Sequence, residues 1–153
     1  VDAARFFFLM YSPDTSINFN LDLAKEQSSN NPVYYVQYAY ARMWGIEHKS
    51  ETEIPVSTEH LGLLTHPKET ALIKDLLEFP DLVQRVAADY QVQQLTTYAL
   101  GLAEKFHHFY EACQVVGAET EQLKQARMSL VHASQVVLKS ALQLIGISAP
   151  ERM

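Results

Sequence analysis

The sequence predicts an all-α fold. Three observations carry that expectation. Nearly half of the 153 residues are apolar, so the chain can bury a sizeable single core and is not a disordered segment. It has only five glycines and long runs rich in Leu, Ala, Gln and Glu, which favour helix. In most segments the apolar residues recur at i, i+3 and i+4 rather than alternating.

Residues 2–11 read as a first helix, with Ala3, Phe6, Phe7 and Met10 on one side, and Ser12-Pro13-Asp14 ends it. Ile17 to Leu23 alternates apolar and polar residues and predicts a short strand-like or extended segment. Lys25 to Asn30 is polar and reads as a loop or short helical turn. Asn31 then caps a helix that has Pro32 at its first position. Val33, Val36, Tyr40, Met43 and Trp44 form its apolar stripe, and the helix is expected to fade near Gly45. His48 to His60 reads as a polar connector. A helix from Pro67, with Glu69 in its first turn, is expected to end at Phe79. Pro80 should then begin another, containing Leu82, Val83 and Val86.

Two long helices follow. The first spans about Gln94 to Val116, burying Leu95, Tyr98, Leu102, Phe106, Phe109 and Cys113, with Gly117 as its stop. The second runs from a Thr120 cap to about Ile145, with Leu123, Ala126, Leu130, Val137, Leu138 and Ala141 inward. Gly146 ends it, and Ile147–Met153 forms a non-helical tail. No run approaches the ~20 apolar residues that span a bilayer. The opening Val1-Asp2-Ala3-Ala4-Arg5 is no signal peptide and resembles the middle of a helix, so the chain is expected to be part of a longer protein.

The net charge of −6 disfavours a broad nucleic-acid-binding surface. Its distribution leaves room for a local one. Residues 46–92 hold four basic and nine acidic side chains and supply five of the six excess negatives, whereas residues 93–153 hold five of each. Cys113 is the single cysteine. Set among apolar positions, it reads as a buried, inert thiol.

Catalytic and metal chemistry find no convergent residues. His107 and His108 point about 100° apart on a helix and cannot grip one ion together. Glu47, Glu51, Glu53 and Glu59 read as a solvated acidic run. No HExxH, CxxC, Walker A or GxGxxG pattern occurs. No catalytic residue and no metal ligand is assigned. The informative feature lies opposite the stripe of the Asn31 helix. Tyr34, Tyr38 and Arg42 stand at i, i+4 and i+8, three flat groups on which unpaired bases can stack.

Four segments, in order, resemble the C-terminal portion of arginyl-tRNA synthetases. Val1–Leu9 resembles the helix after the KMSKS-type loop, and Phe19–Ala24 the strand and turn beyond it. Asn31–Arg42 resembles the first helix of the anticodon-binding DALR domain. Phe106-His107-His108-Phe109-Tyr110 and Pro150-Glu151-Arg152-Met153 resemble a later helix and the end. Tyr11 and Tyr40 depart from the pattern, standing where many relatives have a basic residue and a histidine.

The resemblance implies a helical bundle of the class I synthetase anticodon-binding type over residues 30–153, preceded by a remnant of the catalytic domain and junction over residues 1–29. The HIGH and KMSKS-type signatures are absent, so the chain alone is expected to be inactive and to need no cofactor. The full-length ligase would join arginine to its tRNA with ATP and Mg²⁺, in the cytoplasm, as a monomer, without membrane or DNA partners. Tyr38 would stack a splayed base, and Arg42 would meet phosphate or a base edge. Tyr110, Arg152 and Met153 would complete the contact, with Tyr34, Gln37 and Phe109 in support. Trp44 and Phe106 are assigned to packing, and Asp2 and Arg5 to the junction. Two alternatives stay open: a helical protein-interaction module without RNA binding, and an anticodon-binding domain of another synthetase of the same class.

Overall fold

The computed structural model describes residues 1–12, 14–49 and 56–153. Among the described residues six helices follow one another: α1 (Asp2–Leu9), α2 (Leu21–Lys25), α3 (Pro32–Lys49), α4 (Pro67–Asp89), α5 (Gln93–Ala112) and α6 (Glu121–Leu144), with a 3₁₀ turn at Leu61–Leu63 before α4. No strand occurs among the described residues, and no helix among them is long and apolar enough to cross a membrane. α5 lies centrally, packed on α4, α3 and α6. α6 also closes against α3 and α4, and α1 leans on α3 and α5. Phe106, Phe109, Leu102 and Leu138 are fully buried where these helices meet.

Several helix ends follow from local chemistry. Asn31 Oδ1 accepts from the Val33 N–H at 3.2 Å, and Pro32 takes the first position of α3. Thr120 Oγ1 accepts from Leu123 N–H at 3.2 Å to start α6. Gly146 follows α6 with φ 67, a conformation that favours glycine.

Five expectations need correction. Residues 16–20 carry no regular structure, and Leu21–Lys25 is helical rather than strand-like. Asn20 Oδ1 accepts from both Asp22 N–H and Leu23 N–H and nucleates a turn there. α3 does not fade at Gly45, because buried Met43 and Ile46 hold its last turn against the bundle. Of the expected connector and acidic run, residues 50–55, with Glu51 and Glu53, lie outside the described residues. Glu47 belongs to α3 and is no free solvated charge, since His132 Nδ1 lies 3.0 Å from its carboxylate.

α4 is one helix running through Pro80. The Tyr98 hydroxyl donates to the Asp75 carbonyl at 2.9 Å and the Phe79 and Tyr98 rings stack at 5.3 Å, so α5 holds the turn that leads into the proline, while Leu72 before it and Leu82 after it are both buried in the core. α5 stops at Ala112, before Gly117. Arg127 Nη1 donates to the Gln114 carbonyl at 2.8 Å, and buried Cys113 and Val115 draw the loop inward.

Candidate nucleic-acid interface

Helix periodicity alone brings Tyr34, Tyr38 and Arg42 into one row on α3. The Tyr34 and Tyr38 rings lie 5° from parallel with centroids 6.4 Å apart. Arg42 continues the row, its guanidinium carbon 4.7 Å above the Tyr38 ring, while Nη2 donates to the Tyr38 hydroxyl at 2.6 Å. From α5, Tyr110 presents a second face to the same guanidinium at 5.4 Å and itself stacks on Phe106. The cation therefore bridges two tyrosine faces from two helices. Tyr38 and Tyr110 are each 39 % exposed, so these are surface rings and not core.

His107 supplies the remaining contact. A guanidinium can only donate, so the 3.2 Å approach of Arg42 Nη1 makes His107 Nδ1 the acceptor and places the ring proton on Nε2. Burial, reinforced by the charge of Arg42, pushes the His107 imidazole down to about 4 against the partial opposition of Glu111. The ring is neutral at ordinary pH. Among the described residues no carboxylate forms an ion pair with Arg42. Its charge is shaped and held without being neutralised.

Beyond this row the surface falls into a cleft of about 960 Å³ whose lining includes Tyr38, Arg42, Tyr110, Arg152 and Met153. All five residues expected to touch RNA thus share one hollow between α3, α5 and the tail. Among the described residues Glu151 is its single acidic lining residue, and none of the described acidic residues of 46–92 reaches it. A smaller hollow of about 450 Å³ opens on the other side of Tyr38 and Arg42, between Tyr34, Tyr35, His107 and Glu111.

The expected supporting residues separate. Tyr34 extends the aromatic row. Gln37 points away from the cleft and donates to Asp2 and Ser148. Phe109 is sealed in the core at 0 % exposure and can act on the face only from beneath. Trp44, assigned to packing, is half-buried and lines the cleft. His48 stacks on it at 3.8 Å and 8°, and the Arg152 guanidinium stands 5.8 Å over its ring. The i, i+4 spacing of Trp44 and His48 carried that signal, but a helix ended at Gly45 hides it. His107 had no sequence signal beyond its neighbour His108; its role depends on a contact 65 residues away.

Fold and site together define a helical bundle with an aromatic, cationic cleft, and the fold is that of an all-α anticodon-binding domain. The chain belongs to the DALR anticodon binding domain family, whose model matches residues 36–153. Over essentially its whole length it is 43 % identical to the arginine–tRNA ligase of Carboxydothermus hydrogenoformans and 46 % identical to that of Salinibacter ruber. It spans 28 % and 27 % of those proteins. Among solved structures it resembles the Thermus thermophilus arginyl-tRNA synthetase (34 % identity, TM-score 0.83) and the Plasmodium falciparum enzyme (25 % identity, TM-score 0.86). Each match covers 99 % of this chain and 26 % of the other.

Proposed function

We propose that the chain is the anticodon-recognising part of an arginine–tRNA ligase and that the cleft between α3, α5 and the tail receives the unstacked anticodon loop. The observation that carries this reading is Arg42. It is a permanent cation fixed between two exposed tyrosine faces and a neutral histidine, with no carboxylate partner among the described residues. A guanidinium so held retains donors for a phosphate or a base edge. Tyr38 and Tyr110 offer rings for splayed bases, each stack contributing about 1–3 kcal/mol. Arg152 and Met153 close the far side. Arg152 adds a second cation, and Met153 a soft apolar surface.

Residues 1–29 form the end of the catalytic domain and its junction, and residues 30–153 the anticodon-binding domain. The whole ligase is a cytoplasmic monomer that joins arginine to arginine tRNA. ATP and Mg²⁺ serve that reaction elsewhere in the full-length protein, and no residue of the cleft is assigned to them. This chain's part is to bind and orient the tRNA.

Titration with an arginine-tRNA transcript at increasing salt tests the reading. Affinity should fall steeply with salt. Arg42→Ala should weaken binding and flatten the logarithmic slope by about one unit, as one phosphate contact disappears. A transcript with a foreign anticodon loop should bind more weakly than its parent. Equal binding of both transcripts, or unchanged affinity and slope in Arg42→Ala, would overturn the assignment and favour a helical protein-interaction module.

A further inference from the structure

Asp2 opens α1, Gln37 lies on α3 and Ser148 lies in the tail, yet the three meet at one oxygen. Asp2 Oδ2 accepts from Gln37 Nε2 at 3.1 Å and from the Ser148 N–H at 3.0 Å, and the Ser148 hydroxyl donates to it as well. Gln37 Nε2 also reaches the Ser148 carbonyl at 3.0 Å. Burial acts to raise the Asp2 carboxyl, but the hydrogen bonds from Ser148 and Gln37 outweigh it and hold the group below the ordinary carboxylate value. The ionised form is the one that these donors recognise.

A second grip lies two residues earlier. Arg5, one turn along α1 from Asp2, donates to the Gly146 carbonyl, and a Cβ at Gly146 would stand only 2.8 Å from Arg5 Nη1. α1 thus holds the tail at residues 146 and 148. Among the described residues the hydrogen bonds that fix the tail end at Ser148. Beyond it Ala149 packs on the core and Arg152 stands over Trp44. On α3, Gln37 immediately precedes Tyr38, so the clamp joins the tail to the helix that carries the aromatic row.

We propose that Asp2 is a positioning residue for the cleft. By clamping Gln37 to Ser148 it sets where Arg152 and Met153 stand opposite Arg42, and it couples α1 to the tRNA-binding face. The proposal rests on the assignment of that face to tRNA. Its physical content is preorganisation. With the clamp intact the tail is ordered before RNA arrives; without it, binding must supply the ordering entropy.

Trp44 is the single tryptophan of the chain and reports on the tail without RNA. Asp2→Ala should shift Trp44 emission and raise its quenching by acrylamide to the level reached by removing residues 151–153. Adding Asp2→Ala to that truncation should change neither further. Gln37→Met, which keeps the side-chain length and removes the donor, gives the same reading if Asp2→Ala lowers the melting temperature too far. Parent-like emission in a folded clamp variant, or in the truncation, overturns the proposal. With an arginine-tRNA transcript, Asp2→Ala should weaken binding about five- to tenfold in the intact chain, less than about twofold in the truncated one, and leave the salt slope unchanged. Equal losses in both backgrounds would mark a general weakening of the bundle and overturn the proposal. If Trp44 responds as expected while truncation leaves tRNA affinity intact, the clamp stands and the assignment of the tail to RNA falls.

Discussion

Arg42 Nη1 donates to His107 Nδ1 across 3.2 Å, and that contact requires an unprotonated imidazole. The folded ring titrates near 4, well below its ordinary value of 6.5, chiefly because it is buried and secondly because Arg42 is charged. The sign follows from linkage. Between pH 6.5 and about 4 the unfolded chain binds a proton that the folded chain refuses. The stability contributed by neutral His107 is therefore complete above pH 6.5 and is lost as pH falls through that window, as much as roughly 3 kcal/mol. Chemical denaturation at pH 7 and pH 4.5 should show a larger loss for the parent than for His107→Phe, and NMR should find His107 neutral at pH 5.5. A His107 that titrates near 6.5 would mean that it does not hold Arg42.

Adjacent residues of α5 divide structure from surface. Phe109 is fully buried and Tyr110 is 39 % exposed over Arg42. Phe109→Ala should cost about 3–5 kcal/mol in denaturant unfolding, because a large ring leaves a core that cannot fully close. Tyr110→Ala should cost less than about 1 kcal/mol while weakening tRNA binding. Comparable stability losses in the two variants would remove Tyr110 from the binding face.

Glu69 is nearly inaccessible and serves two helices at once. Its Oε2 accepts from the His66 N–H at 2.8 Å at the start of α4, and its Oε1 accepts from Arg127 Nε of α6 at 2.7 Å. Arg127→Ala would leave that carboxylate buried without its cation and also free the Gln114 carbonyl. The expected loss is about 3–5 kcal/mol by urea denaturation, far above the value of an exposed pair. A loss below about 1 kcal/mol would show that water replaces Arg127 easily.

The residues that made the fold legible act on near neighbours: Asn31 and Thr120 as caps, Gly146 as a stop, and the i, i+3, i+4 spacing of Leu95, Leu102, Phe106 and Phe109. The row Tyr34, Tyr38, Arg42 was legible for the same reason, since helix geometry alone aligns it. What escaped the sequence depends on partners distant along the chain. The end of α5 depends on Arg127, the acceptor for Arg42 is His107, and the tail is fixed by Asp2. That Arg152 and Met153 share a hollow with Arg42 rests likewise on contacts distant along the chain, α1 holding residues 146 and 148 and the core burying Ile147.

Pro80 shows how packing overrides a local rule. In a helix interior proline removes one hydrogen bond and crowds the carbonyl four residues earlier, a penalty of about 3 kcal/mol. Yet α4 continues through it from Pro67 to Asp89. Leu72 and Leu82, on either side, are buried in the same core, and the Tyr98 hydroxyl takes the Asp75 carbonyl one turn upstream. A break would sacrifice contacts on both sides, so the helix is held against its own sequence. Pro80 itself is exposed, and an alanine there would fill no cavity. Pro80→Ala should therefore stabilise the chain by about 1–2 kcal/mol, the helix penalty reduced by the greater freedom of the unfolded chain. It should raise the melting temperature and leave tRNA affinity unchanged, because the cleft draws on α3, α5 and the tail. A fall in melting temperature would mean that the proline shapes a bend on which the contact between α4 and α5 depends.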